Sequence, residues 1–392
     1  AHAGWSLRTE AHPTHGHHTD LCLLTRAHAM RPVKKTLSWR GIQQRKPVQL
    51  FLACVWCVGV IRVWRLVPSL DSRAAMDPSN RDATDWRFAL SSSAKGEVLA
   101  KHLLYSEGDL FVSAENHESL RGHQPFTPRL VTKVLPARSK TPTHGTCAIV
   151  GNSGILKRGG YGKPIDANDV VMRINQAPTK GYEDIVGSQT GYRMLNNKWT
   201  TVYYEDNVPN TNVPGGTSQL ARYLLNQEPA NVSFIVSRAS TQQFETLATT
   251  IQRRRKDVQT PKLLSSRLIS SARGMLVAFR FSAAKGGEKY SEEEVTPSTG
   301  LLGVYFLLQA CKKVSVYGFS LDDSRRTNDM KAEGLRYHYF KRYADSERLL
   351  AHPHHNFALE GDILRKLDEL GIINLCTPGL HGRDGACQVL QD

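Results

Sequence analysis

Three observations make this chain an α/β domain organised on a mainly parallel sheet. From Cys147 onward, short apolar runs alternate with amphipathic stretches, the pattern left by strands that are followed by crossover helices. The first run, Cys147-Ala148-Ile149-Val150, ends in the small polar turn Gly151-Asn152-Ser153-Gly154, where backbone amides can meet a phosphorylated ligand. Much later, Pro297-Ser298-Thr299-Gly300 leads into the apolar stretch 301–310. That reads as a helix N-terminus, with Ser298 or Thr299 as cap and exposed amides that favour a phosphate; a plain N-cap is the simpler reading.

The N-terminal third carries the attachments. Residues 1–29 hold many histidines (His2, His12, His15, His17, His18, His28) and no apolar period. They read as an added extension, either a disordered arm or a metal-binding tract. Residues 30–47 form a basic tail with Arg31, Lys34, Lys35, Arg40, Arg45 and Lys46. Residues 48–67 follow as a signal-anchor helix, whose uninterrupted apolar run 50–61 extends through Arg62 and Arg65 toward the roughly 20 residues a span needs. Cations before the run and no acid between Met30 and Leu66 place the tail in the cytosol and the remainder in the lumen. A cleaved signal peptide and a buried core helix are the rival readings, and no Ala-x-Ala site follows the run.

Residues 68–95 are polar and poor in aliphatics, as a stem would be, and the catalytic domain is expected over 96–392. A helical patch at 96–105 precedes a Pro-rich irregular stretch to Gly145. Strands are then expected at 147–150, 170–174, 192–195, 232–236 and 314–319, and helices at 218–226, 242–255, 299–311 and 356–370. No internal repeat is visible.

The chain has 392 residues and is 40% hydrophobic, ample for a buried core. Its net charge of +15 suggests an anionic partner, but eight of the cations (Arg31, Lys34, Lys35, Arg40, Arg45, Lys46, Arg62, Arg65) surround the anchor. The remaining balance suits an enzyme with an anionic substrate, and no RNA-binding or zinc-finger pattern argues for nucleic acid. Of seven cysteines, Cys22 lies in the extension and Cys54 and Cys57 in the anchor. Cys147, Cys311, Cys376 and Cys387 are an even number in an oxidising compartment, enough for two disulfides.

The turn after the first strand lacks G-x-G-x-x-G spacing, and 170–174 is followed by Asn175 rather than by an acid for a ribose diol. Both facts weaken a nicotinamide-dependent oxidoreductase. Asn152 and Asn175 instead offer neutral amides at the ends of neighbouring strands, to read a base or sugar edge or simply to cap turns. Tyr337-His338-Tyr339-Phe340 and His354-His355-Asn356-Phe357-Ala358-Leu359-Glu360 place His338, His352, His354 and His355 near an aromatic patch. A histidine titrating near neutrality can take a proton from an attacking hydroxyl or donate to a phosphate. Asp322-Asp323 reads as a solvated turn rather than a metal site. Asn231-Val232-Ser233 is a glycosylation sequon at the start of a strand.

These segments together resemble the eukaryotic sialyltransferases, glycosyltransferase family 29. Residues 147–197 are similar to the large sialyl motif, through Cys-Ala-Ile-Val-Gly-Asn-Ser-Gly, Ile165-Asp166-Ala167-Asn168-Asp169, Arg173-Ile174-Asn175-Gln176-Ala177-Pro178-Thr179 and Asp184-Ile185-Val186-Gly187-Ser188-Gln189-Thr190. Residues 297–319 resemble the small motif, His338-Tyr339-Phe340 motif III, and His355-x4-Glu360 the very small motif.

The resemblance implies a single Rossmann-like domain, a variant of the GT-A type, that transfers sialic acid from CMP-sialic acid to a glycan hydroxyl with inversion and without metal or cofactor. It implies His355 as general base, with the four-residue gap to Glu360 selecting it over His354. His338, Asn152, Ser153, Asn175, Ser298, Thr299 and Gly300 would bind the donor, and Glu360 and Tyr339 would support them. It pairs Cys147 with Cys311, closing a loop of about 160 residues for roughly 4 to 5 kcal/mol in the chain-entropy model; Cys376 with Cys387 is the remaining pair.

The layout implied is a Golgi membrane protein, single-pass type II, acting on a glycoprotein or glycolipid, with a homodimer left open. A galactose-terminated acceptor is expected. The linkage stays open, because Arg193-Met194-Leu195-Asn196 is similar to the galactoside α2,6 group and Val316-Tyr317-Gly318-Phe319 to the α2,3 group. A non-catalytic CMP-sialic-acid-binding homologue is the alternative.

Overall fold

Alternating apolar residues on successive strands bury both faces of the sheet. The computed structural model describes residues 94–103, 110–120, 125–205, 220–288, 290, 296–319, 335–341, 355–377 and 387, all in one compact unit, Asp77–Asp392. The extension 1–29, the tail 30–47, the anchor 48–67 and residues 68–93 of the stem lie outside the described residues. Among the described residues no helix is long and apolar enough to cross a membrane.

The strands are β1 (His144–Val150), β2 (Val170–Ile174), β3 (Tyr192–Leu195), β4 (Ser233–Val236), β5 (Gln259–Leu263), β6 (Cys311–Tyr317) and β7 (Asn374–Cys376). They form one sheet in the order β5-β4-β3-β2-β1-β6-β7, and every neighbouring pair is parallel. The chain therefore winds outward from β1 in one direction through β5, then returns to start again at β6. The crevice between β1 and β6 is the switch point at which doubly wound sheets bind ligands.

The helices are α1 (Ala94–Leu103), α2 (Pro128–Lys133), α3 (Gly162–Asp166), α4 (Glu183–Val186), α5 (Asn197–Val202), α6 (Leu220–Gln227), α7 (Thr241–Arg254), α8 (Ser266–Lys285), α9 (Thr299–Ala310) and α10 (Phe357–Glu369). On one face, Cys147, Ile149, Met172, Tyr192 and Met194 pack with α1, α8, α9 and α10 in a single apolar cluster. On the other, Ala148, Val150 and Val171 meet Tyr161, Ile165, Tyr317, Tyr339 and Phe340, while Leu195, Phe234 and Val236 meet Trp199 and Phe244. Two helical layers thus enclose the sheet, which explains why β2, β3 and β4 are buried over almost their whole length. Helix α9 is buried almost all round, as its unbroken apolar sequence requires.

The expected α/β class is what the chain adopts, with local corrections. Helix α1 begins at Ala94, inside the span assigned to the stem, because Leu99 and Leu103 belong to the main core and the Leu103 carbonyl accepts a bond of 3.0 Å from Gln309. Strand β1 starts at His144 rather than Cys147, since His144 pairs with Cys311. Strands β5 and β7 and the 20-residue helix α8 extend the expected set. Asp322-Asp323, His352 and His354 lie outside the described residues.

Cys147 and Cys311 form a disulfide between β1 and the first residue of β6, with Cα atoms 6.1 Å apart, and Cys376 pairs with Cys387. Cys147 is fully buried and Cys311 nearly so. Replacing Cys147 and Cys311 together by Ala is expected to lower stability by about 2–5 kcal/mol, read as a lower denaturant midpoint. An unchanged midpoint would show that the bridge is not formed.

Candidate active site

The chemistry-bearing segments converge at the carboxyl ends of β1, β2 and β6. Gly151 donates its N–H to the Tyr317 carbonyl at 2.7 Å, and Ser153 to the Gly318 carbonyl at 3.1 Å, so the turn after β1 continues the pairing with β6. A Cβ at Gly151 would lie 2.4 Å from the Gly318 oxygen, closer than any side chain allows. The same Cβ would sit 3.0 Å from Cδ2 of Phe319, and one at Gly300 would sit 2.7 Å from Cε1 of that ring. Phe319 is thus wedged between the turn after β1 and the N-terminus of α9, and both glycines are small so that it fits.

The turn after β1 also captures His338. Ser153 and His338 form an isolated antiparallel bridge; Gly154 donates to the Tyr337 carbonyl and Tyr339 to the Asn152 carbonyl, both at 3.1 Å. His338 is 8% exposed, and its ring is held between Tyr337 and Phe340, at centroid distances of 4.7 and 5.3 Å. Tyr339 sends its hydroxyl to the Pro178 carbonyl at 2.6 Å, tying this segment to the loop after β2.

Asn152 and Asn175 stand where those two strands end. Asn152 Nδ2 donates to the Ile174 carbonyl at 3.4 Å, and its Oδ1 is buried with no hydrogen-bond partner among the described residues, an acceptor suited to a donor on a ligand. Asn175 occupies the left-handed region at φ 54, which asparagine tolerates better than most residues. Its Oδ1 accepts from the Asn196 N–H at 3.1 Å. Ser153 uses its hydroxyl to cap the short 3₁₀ turn at Gly154–Arg158.

A second group forms at the start of α9. Ser298 is its N-cap, accepting from the Leu301 N–H at 3.1 Å, with Thr299 and Gly300 in the first turn. Glu360, in the first turn of α10, is 5% exposed. It accepts from the Ser298 N–H at 2.7 Å and from the Ser298 hydroxyl at 2.5 Å. Burial pushes its carboxyl up to about 7, against the opposing pull of these two bonds and of Arg238.

Arg238, just past β4, donates to the Pro297 carbonyl at 2.7 Å, and burial lowers its guanidinium while Glu360 opposes that fall. Nothing in Ser237-Arg238-Ala239-Ser240 marked it in the sequence, because its partner is remote along the chain. His355 joins through its ring, with Nδ1 at 2.8 Å from the Thr296 carbonyl. A carbonyl only accepts, so Nδ1 carries a proton and donates to it, which fixes the orientation of the ring.

Asn231 lies away from this edge. It precedes β4 at the opposite end of the sheet, exposed, at φ 63, and Ser233 of its sequon is buried in the strand.

The model of glycosyltransferase family 29 (sialyltransferase) matches residues 98–372. The chain belongs to this family. The mouse CMP-N-acetylneuraminate-beta-galactosamide-alpha-2,3-sialyltransferase 2 is 30% identical over 205 residues, 52% of this chain and 49% of the relative. A Takifugu rubripes beta-galactoside alpha-2,6-sialyltransferase 2 is 25% identical over 323 residues, 79% of this chain and 55% of the relative. The chain thus spans about half the length of these curated relatives. A crystal structure of a mammalian sialyltransferase in complex with Gal-beta-1-3GalNAc-ortho-nitrophenol aligns over 73% of this chain and 96% of that one, at 20% identity and a TM-score of 0.46. In this family 29 domain, the four segments read as sialyl motifs all reach the β1–β6 edge or the α9 and α10 N-termini beside it.

The Glu360 carboxyl makes a checkable contribution to stability. The folded chain keeps its proton up to about pH 7, whereas an ordinary glutamate loses it near 4.5. Folding therefore takes up a proton between those values, and this contribution, up to roughly 3 kcal/mol, is lost as the pH rises through 7. Glu360→Gln can keep both bonds to Ser298 without titrating. Its Tm is expected to gain on that of the wild type between pH 5 and 8; parallel Tm curves would contradict the buried, protonated carboxyl.

Proposed function

We propose that this family 29 domain transfers a sialyl residue from CMP-sialic acid to a hydroxyl of a galactose-terminated glycan on a glycoprotein or glycolipid, with inversion and without a metal ion. The observation that carries the reading is the union of His355 with the N-terminus of α9. The Thr296 carbonyl orients the ring and Glu360 clamps the Ser298 cap, so a base and a phosphate site are held by adjacent stretches of backbone.

In the proposed reaction, Nε2 of His355 takes the proton of the acceptor hydroxyl as its oxygen attacks the anomeric carbon from the face opposite CMP. The bond from that carbon to the phosphate oxygen breaks, and the electron pair leaves on CMP. The amides opening α9 and the imidazole of His338 stabilise the departing phosphate. A single phosphate leaves with modest charge, so preorganised donors suffice. Asn152, whose buried Oδ1 has no hydrogen-bond partner among the described residues, and Asn175 read the nucleoside. The apolar run 50–61, with cations before it, supports a type II anchor in the Golgi membrane.

His355→Ala is expected to reduce transfer of radiolabelled sialic acid by about 10²–10⁴-fold while CMP still raises the Tm. Turnover at the wild-type rate would remove His355 as base. In the wild type, transfer should persist in EDTA, and CMP but not NAD should stabilise. Stabilisation by CMP with no transfer to any glycan would make the domain a binding protein; stabilisation by NAD alone would make it an oxidoreductase.

A further inference from the structure

Beneath the Asn175 turn lies an ion pair that the reaction above does not use. Arg193, on β3, and Glu228, just after α6, have side chains 5% and 3% exposed, with Nε and Oε1 2.5 Å apart. Tyr203 donates its hydroxyl to the same oxygen at 2.6 Å, and Arg255 holds the Glu228 carbonyl at 2.9 Å. Removing two charges from water is costly, and an apolar pair of similar volume often serves stability equally well or better. Stability alone is therefore a poor reason for this pair.

What an apolar pair could not do is donate. Arg193 Nη1 donates to the carbonyl of Asn175 at 2.8 Å and to that of Ala177 at 3.1 Å. These carbonyls belong to the turn in which Asn175 holds its left-handed conformation, a conformation that persists only where neighbours over-determine it. Two further bonds come from the same strand end: Asn175 donates its N–H to the Met194 carbonyl at 2.8 Å and accepts from Asn196. Arg173, paired in register with Arg193, reaches the other way, donating to the Gln189 and Val186 carbonyls at 2.9 and 2.8 Å. The guanidinium of Arg193 is the charged member of the set that touches Asn175 itself, and Glu228 fixes its orientation.

We propose that Arg193 and Glu228 are positioning residues that hold Asn175 in its donor-reading conformation. Their effect falls on affinity for the nucleotide donor rather than on the rate of transfer. This rests on the assignment of Asn175 to the donor site.

The test uses the full chain with Arg193→Met/Glu228→Leu, which removes both charges together and leaves neither one buried alone. Arg193→Lys serves as a second variant that keeps the charge but lacks the fork of separate nitrogens with which Arg193 meets Glu228 through Nε and the two carbonyls through Nη1. In each, the Kd for CMP and the donor KM should rise about tenfold, with kcat within about twofold of the wild type. Adding Asn175→Ala to either variant should cost little more, because the pair acts through Asn175. The proposal is overturned if the folded variants keep the wild-type Kd and KM, if kcat falls while KM holds, or if the Asn175→Ala effect adds in full. Should the double variant not fold, the same outcomes are read from Arg193→Lys. A wild type that fails to bind CMP would refute the functional reading itself, a result distinct from all of these.

Discussion

The pairing of β1 with β6 is the constraint on which the site depends. It runs in parallel from His144 opposite Cys311 to Val150 opposite Tyr317, and it joins segments separated by 164 residues of chain. A parallel pair inside a sheet is buried on both faces and held in register by side-chain packing. Here a disulfide at one end of the pairing and the wedge of Phe319 at the other add to that hold. A slip of one residue would turn Cys147 away from Cys311 and pull the Gly151 turn off Gly318. The two glycines that admit Phe319 and the strand register thus depend on one another.

From that edge the site is assembled by short reaches. His338 arrives as a bridge partner of Ser153, and the segment 355–360 arrives because Glu360 caps the cap, binding both the amide and the hydroxyl of Ser298. The arrangement is economical in charge. A buried carboxyl that keeps its proton to about pH 7 can hold a helix N-terminus without setting a full anion against the phosphate that this terminus would receive.

Much of this was legible in the amino-acid sequence where local pattern and tertiary role agree. The bounds of β2 and β3 follow from their apolar runs, and α9 is visible from its cap and its unbroken apolar stretch. Strand β5 was not, because Pro261 within it argues against a strand; the residue is tolerated because β5 lies at the edge of the sheet. Strand β7 is three residues long at the other edge and depends on β6 for its form. Helix α8 carries a helical spacing in Leu268, Ala272, Met275, Leu276, Phe279 and Ala283, diluted to the eye by Gly274 and its serines. The histidines and asparagines of the candidate site stand out in the sequence by residue type, but not what holds them. Glu360 lies 62 residues from Ser298, Arg238 lies 59 from Pro297, and no spacing rule connects them.

In the proposed complex one ligand, a CMP-bearing donor, contacts all of these segments at the carboxyl end of the sheet. Hydrogen–deuterium exchange with and without CMP tests this most directly. Added protection is expected together in 151–154, 174–177, 297–301 and 337–340, with the opposite end of the sheet around Asn231 unchanged. Protection confined to another surface, or no change in the Gly151 and Ser298 turns at saturating CMP, would contradict it.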